Sequence, residues 1–211
     1  TDPVPMTVGV YGLGYVGRVS AVCLASQGSQ VIGVDVNIDK VELLGRGMAP
    51  IVEERIGELT AEVVAAGQLA VTTDAHHTVL NTEVSLVCVG TPSTSTGELT
   101  TGFLEHVTEE IGHALAETDR WHVVVYRSTM VPGTCESLLI PKLEELSGKR
   151  AGVDFGVCVN PEFLREGTSV KDFFDPPKTV VGASDSRAAE TVMSLYTSLP
   201  GGTAVTKVVG D

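Results

Sequence analysis

Basic residues are scarce in this 211-residue sequence, which has 14 lysines and arginines against 27 aspartates and glutamates. The formal net charge at pH 7 is therefore −13. Partners such as nucleic acids and anionic membrane surfaces select for an excess of positive charge, so this balance argues against both. A phosphate-containing ligand would have to be bound locally, by helix N-termini and a few lysine or arginine side chains.

Long apolar runs are also missing from the sequence. No stretch approaches the roughly 20 apolar residues that span a bilayer. The N-terminus shows no charged segment followed by an apolar one, which a secretory signal would have. We therefore expect no membrane partner and a cytoplasmic location. Residues 1–5, ahead of Met6, are expected to be a tail outside the fold.

Cysteines are few and widely separated, and none belongs to a CxxC pair. This excludes a zinc-finger spacing and a disulfide framework. The five histidines do not pair with carboxylates at any metal-binding spacing, so we predict no metal site. The expected state of the thiols is reduced, as in a cytosolic protein. The four cysteines are Cys23, Cys88, Cys135 and Cys158.

Short apolar runs alternate with helix-like segments along the chain, which is the pattern of βαβ units. Hydrophobic residues make up 43% of the chain and charged residues 19%, as expected for a sheet covered on both faces. The sequence predicts a Rossmann-like α/β fold, doubly wound around a mostly parallel sheet with helices on both faces, in one domain over residues 6–211. Strands are predicted at 8–11, 30–34, 69–72, 84–89, 122–126, 155–159, 179–182 and 204–208, and helices at 38–47, 53–66, 103–117, 133–146 and 186–199.

A glycine-rich turn follows the first predicted strand and opens a helix-like segment. Gly12 permits a tight turn, Gly14 lets a pyrophosphate approach the backbone, and Gly17 allows the helix to pack closely on the sheet. The second predicted strand ends at Asp35, 18 residues beyond Gly17 and close to the expected spacing of about 20. This carboxylate would accept hydrogen bonds from ribose hydroxyls and repel a 2′-phosphate. Because no arginine follows it, the pattern predicts NAD rather than NADP as the cofactor.

Polar motifs follow three further strands, at residues 90–93, 127–134 and 160–167. The carboxyl ends of strands are where open α/β sheets bind ligands, although each motif alone could be an ordinary turn. The last motif places two glutamates and an arginine around Phe163 and Leu164. Such a mixture exceeds what a capping turn needs and indicates a substrate-facing loop.

Taken together, residues 12–17, 89–92, 127–129, 132–134 and 160–167 resemble the nucleotide-sugar 6-dehydrogenases, the family of UDP-glucose and GDP-mannose dehydrogenases. Residues 49–53, 151–156 and 176–177 resemble the GDP-mannose branch. The resemblance implies an NAD-dependent, four-electron oxidation of a sugar C6 alcohol to a carboxylate through a cysteine thioester, as a step of polysaccharide biosynthesis. It also implies a nucleotide-sugar substrate and a homo-oligomeric enzyme.

The resemblance further implies roles for individual residues. Glu162 would orient or deprotonate the hydrolytic water, and Thr129 would act beside the nicotinamide. Lys40 has an alternative interpretation as a solvated helix lysine. The implied cofactor-binding residues are Gly12, Gly14, Tyr15, Val16, Gly17, Asp35, Lys40, Thr91 and Thr129, and those implied to line the sugar are Phe163, Leu164, Arg165 and Glu166.

None of the four cysteines lies in the family's catalytic cysteine motif, and the sequence does not contain the central helix or the sugar-binding domain. We therefore expect this chain to bind NAD without oxidising a sugar by itself. Three alternatives stay open at this point: a UDP-glucose enzyme, a β-hydroxyacid-type dehydrogenase with the same first βαβ unit, and a non-catalytic NAD-binding module.

Overall fold

The computed structural model describes residues 5–50, 52–197 and 205–209, and eight strands within them form one sheet. The strand order is β3-β2-β1-β4-β5-β6-β7-β8. Neighbouring strands are parallel except for β6 and β7, which are antiparallel. The strands are β1 (Thr7–Tyr11), β2 (Gln30–Val34), β3 (Leu69–Thr72), β4 (Val84–Val87), β5 (Val123–Tyr126), β6 (Gly156–Val159), β7 (Thr179–Ala183) and β8 (Val205–Val209).

Helices cover both faces of this sheet, which confirms the predicted doubly wound α/β fold. Their bounds are α1 (Tyr15–Ser26), α2 (Ile38–Gly45), α3 (Ile56–Ala65), α4 (Ala75–Leu80), α5 (Gly102–Leu115), α6 (Ile140–Ser147), α7 (Ser169–Phe174) and α8 (Ser186–Thr197). Among these described residues, no helix is long and apolar enough to cross a membrane.

Two apolar cores lie on opposite faces of the sheet. Helices α1, α2, α3, α7 and α8 pack on one face, and α4, α5 and α6 pack on the other. The central strands β4 and β5 are buried along their whole length. Continuous valine-rich runs suit such strands, because neither of their faces meets water.

Several predicted boundaries were wrong, each for a local reason. The helix predicted at 53–66 begins at Ile56, because Arg55 adopts a left-handed conformation with φ of 71°. The helix predicted at 133–146 begins with a π-helical turn, Cys135–Leu139. The short helix α7 was not predicted. Parts of the helix predicted at 186–199 and of the strand predicted at 204–208 lie outside the described residues.

Candidate active site

The loops after β1, β4, β5 and β6 meet at the carboxyl edge of the sheet. Strand β1 lies between β2 and β4, so the chain changes direction of winding there, and this is where doubly wound sheets bind ligands. The Thr91 hydroxyl donates to the Thr129 carbonyl oxygen at 2.6 Å, which joins the loops after β4 and β5. The Arg127 guanidinium donates to Asn160 Oδ1 at 2.8 Å, which joins the ends of β5 and β6. Three of the predicted polar motifs are thus brought together.

The glycine-rich turn has the geometry predicted for it. Gly12 has φ of 92°, a conformation that other residues rarely adopt. A Cβ on Gly17 would lie 1.7 Å from the Gly12 carbonyl oxygen, so only glycine fits between turn and helix. A Cβ on Gly14, by contrast, would meet nothing within 4 Å. No side chain caps the N-terminus of α1 and its first turn has no acid, which leaves this helix end suited to an anion.

Asp35 lies at the end of β2 and is tied to the backbone of both neighbouring loops. Its two carboxylate oxygens accept hydrogen bonds from the backbone N–H of Leu13 at 2.7 Å and of Asn37 at 2.8 Å. Lys40 Nζ lies 3.9 Å from Asp35 Oδ2. Each carboxylate oxygen has a second lone pair, so the side chain can still accept from a ligand's hydroxyl groups. These contacts hold the acid in a fixed position at the predicted ribose site.

A cleft of about 820 Å³ opens beside these residues. Its size suits a small-molecule or cofactor site, and its lining is mostly apolar with a few polar groups, as is typical of such sites. Phe103 on α5 is exposed at its edge. The lining includes Gly12, Gly14, Val34, Asp35, Asn37, Lys40, Val89, Gly90, Pro92, Phe103, His106 and Glu110.

The loop after β6 carries the residues predicted to contact substrate. Glu162 is partly buried, and its carboxylate accepts a hydrogen bond from the backbone N–H of Leu164 at 2.7 Å. Leu164 packs against the core, and Lys178 Nζ lies 4.9 Å from the centre of the Phe163 ring. Glu166 is exposed. A small pocket lined by Glu162, Phe163 and Leu164 lies at this loop.

Arg165 pairs with Asp172 on α7, a partner that the sequence did not suggest. Its Nε and Nη2 atoms donate to the two carboxylate oxygens of Asp172 at 3.1 and 2.6 Å. The Arg165 side chain is 73% exposed, whereas Asp172 is buried. Hydrogen bonds from Arg165 lower the pKa of Asp172 to about 2. The assignment of Arg165 to the sugar stays a prediction, with the guanidinium already held by α7.

Arg127, Asn160 and Tyr196 form a buried polar cluster where this loop leaves β6. Arg127 is 6% exposed, and its guanidinium donates to Asn160 and to the Tyr196 hydroxyl. The amide of Asn160 in turn donates to the Val180 carbonyl oxygen at 2.9 Å. Sequence reasoning missed Tyr196, which lies on α8, far along the chain from the motifs. The cluster fixes the ends of β5 and β6 against α8.

All four cysteine thiols are buried within the described structure. Burial raises the pKa of each to about 12, so none is a thiolate near neutral pH. The thiolate is the nucleophilic form of cysteine, and these four side chains are not suited to that role as the structure places them.

The sequence predicted Glu53 at the start of a helix, and this was wrong. It lies in the loop before α3, and its carboxylate accepts hydrogen bonds from the Tyr15 hydroxyl, from the backbone N–H of Gly167 at 2.7 Å, and from the backbone N–H of Ser169 at 3.1 Å. The Ser169 hydroxyl also donates to it. The only sequence signal was its place in the motif at residues 49–53, which carried no stated role.

An open glycine-rich turn, an acid at the end of β2 and a cleft at the switch point together define a Rossmann-type dinucleotide-binding domain. Comparison with known proteins then specifies the family. The sequence model described as "UDP-glucose/GDP-mannose dehydrogenase family, NAD binding domain" matches residues 6–200. The chain therefore belongs to this family of NAD-dependent oxidoreductases, as the resemblance predicted, and the alternative of a β-hydroxyacid-type enzyme is excluded.

Individual relatives agree with this assignment. GDP-mannose 6-dehydrogenase of Azotobacter vinelandii is 48% identical over 194 residues, covering 92% of this chain and 44% of the relative. UDP-glucose 6-dehydrogenase of Haloferax volcanii is 41% identical, covering 92% of this chain and 45% of the relative. The crystal structure of a ternary complex of GDP-mannose dehydrogenase from Pseudomonas aeruginosa matches with a TM-score of 0.90 and 47% identity, covering 92% of this chain and 44% of that one. The chain thus spans less than half the length of these relatives.

Proposed function

We propose that this chain is the NAD-binding part of a GDP-mannose 6-dehydrogenase, which oxidises GDP-mannose to GDP-mannuronate with two NAD per sugar. Identity of 48% to GDP-mannose enzymes across almost the whole chain is the observation that carries this proposal. The reaction would take place in the cytoplasm and supply an acidic sugar for polysaccharide biosynthesis. The active enzyme would be a homo-oligomer.

The residues present fit NAD. The open space around Gly14 and the uncapped N-terminus of α1 suit a pyrophosphate, with Tyr15 and Val16 beginning the helix beside it. Asp35 would accept the ribose hydroxyls, with Lys40 close to the same carboxylate. NAD, when bound, supplies the hydride acceptor for oxidation at the sugar C6.

The remaining roles belong to the loops after β4, β5 and β6. Thr91 and Thr129, joined by a hydrogen bond, would line the cofactor toward its nicotinamide end. Glu162 would hold the hydrolytic water and accept its proton, since its carboxylate is fixed by the loop backbone at Leu164. Phe163, Leu164, Arg165 and Glu166 would form one wall of the sugar site.

A UDP-glucose 6-dehydrogenase is the second candidate. It is favoured by the relative from Haloferax volcanii, which is 41% identical over the same length of chain. The two candidates share the cofactor, the chemistry and the four loops described above, so they differ only in the nucleotide and the sugar.

NADH formation by the protein encoded by the complete gene tests the proposal, with GDP-mannose and UDP-glucose compared side by side. We expect two NADH per GDP-mannose and none with UDP-glucose. A Glu162→Gln variant should bind NAD as the parent does but turn over roughly 100-fold more slowly, the lower end of what a general base contributes. Turnover of UDP-glucose alone would establish the second candidate. Tight NAD binding with neither sugar oxidised would contradict both.

A further inference from the structure

The loop before α3 links the two halves of the site. Its Glu53 carboxylate binds the Tyr15 hydroxyl on one side and the backbone N–H groups of Gly167 and Ser169 on the other. Tyr15 is the first residue of α1, directly after Gly14 of the dinucleotide turn. Gly167 closes the substrate-facing loop, and Ser169 is the first residue of α7.

Tyr15 also contacts the substrate-facing loop directly. Its hydroxyl lies 3.2 Å from the Arg165 carbonyl oxygen, in addition to its hydrogen bond to Glu53. Tyr15 and Glu53 are both only partly buried, so these hydrogen bonds are not sealed inside a core. A link of this kind can form and break with the state of the residues at either end.

We propose that Glu53 is a positioning residue, which couples occupation of the glycine-rich turn to the order of the substrate-facing loop, residues 160–167. Bound dinucleotide fixes the backbone at Gly14 and Tyr15, and so holds the Tyr15 hydroxyl where Glu53 can accept from it. Glu53 then keeps its second set of hydrogen bonds, to the Gly167 and Ser169 amides. The inference rests on the proposed function for the loop's role toward the sugar.

The coupling must act in both directions, because linkage between two sites is reciprocal. A loop held by Glu53 therefore raises the affinity of the turn for NAD. It also delivers Glu162 and Phe163 in one arrangement when the cofactor is present.

Amide hydrogen exchange of this chain, with and without saturating NAD, tests the proposal. In the parent chain we expect NAD to slow exchange at Gly167 and Ser169 on the order of tenfold. Glu53→Ala, which removes both acceptor oxygens, should expose both amides and abolish the NAD effect. Tyr15→Phe removes the proposed coupling and leaves the Glu53 contacts to both amides in place. Without NAD, exchange at Gly167 and Ser169 should therefore be as slow as in the parent. The further slowing by NAD should disappear. Glu54→Ala, which removes the adjacent exposed carboxylate, should behave as the parent does.

The outcomes separate this inference from the proposed function. NAD binding measured by calorimetry in the same samples, with no change in exchange at Gly167 and Ser169, would overturn the coupling and leave the cofactor assignment intact. If NAD still slowed exchange at these two amides in Tyr15→Phe, the coupling would also be overturned, and Glu53 would be only a structural cap. Absence of NAD binding by the parent chain would overturn both proposals.

Discussion

At the scale of single residues, Asp35 shows how the backbone can fix the position of a carboxylate. Its oxygens are held by two backbone N–H groups from different loops, so no side-chain reorganisation is needed to meet a ribose. We expect Asp35→Ala to weaken NAD binding by about 1–3 kcal/mol, the order expected for lost hydrogen bonds to a charged group. Calorimetric titration with NAD and NADP measures this.

The matched control for this substitution is Asp39→Ala, which removes an exposed carboxylate on α2 with the same change in net charge. It should leave the NAD affinity close to that of the parent. Equal affinity of the parent chain for NAD and NADP would contradict the role given to Asp35.

Substitutions at two glycines of the turn distinguish an effect on NAD binding from an effect on folding. Gly17→Ala forces a Cβ against a backbone oxygen at 1.7 Å, and we expect it to cost about 3 kcal/mol of the free energy of unfolding. Gly14→Ala meets open space at an ordinary φ of −71°, so its stability should stay within about 1 kcal/mol of the parent. Its NAD affinity should nevertheless fall by roughly tenfold, because the Cβ occupies the approach of the pyrophosphate.

Denaturant unfolding and NAD titration of the two variants give both quantities. The informative result is a crossed pattern, with stability lost in one variant and affinity lost in the other. A Gly14→Ala variant that binds NAD as tightly as the parent would remove the pyrophosphate from this position.

At the scale of elements, α7 is anchored by a pair that depends on pH. The folded state lowers the pKa of Asp172 from 3.8 to about 2, with hydrogen bonds from Arg165 as the largest cause. The pair therefore stabilises the fold above pH 3.8, and that contribution is lost as the pH falls toward 2. We expect the difference in unfolding free energy between the parent and Asp172→Asn to be constant above pH 4 and to shrink below it.

Denaturant unfolding of the parent and Asp172→Asn between pH 6 and pH 2 measures this difference. Asp175→Asn, the same change of charge directly after the C-terminus of α7, serves as the control and should not reproduce the effect. A difference independent of pH across the range would show that the carboxylate is not stabilised by Arg165.

The same elements show how far the sequence could be interpreted before the structure. Residues 12–17 predicted the turn after β1, because Gly12 and Gly17 answer local backbone requirements that the sequence displays directly. Glu53, Asp172 and Tyr196 were not predicted as parts of the site. The partners of Glu53 and Tyr196 lie far along the chain, and Asp172 lies on a helix of only six residues, so no local pattern marks these contacts.

At the scale of the whole molecule, all described strands belong to one sheet, and the site is assembled from segments that leave five of them, β1, β2, β4, β5 and β6. A ligand at this edge therefore contacts segments from both sides of the switch point, and unfolding of either side removes its site. This arrangement links ligand binding to global stability rather than to the stability of one loop.

Cooperative unfolding in the presence of NAD tests that link. A ligand that binds only the folded state adds RT ln(1 + [L]/Kd) to the free energy of unfolding, which is about 2.7 kcal/mol at a concentration 100-fold above Kd. We expect a single unfolding transition whose midpoint rises with the logarithm of the NAD concentration. The shift should be much smaller with NADP, and also with NAD in Asp35→Ala. Two separate transitions, of which NAD moves only one, would show that the sheet unfolds in parts and that the site belongs to one of them.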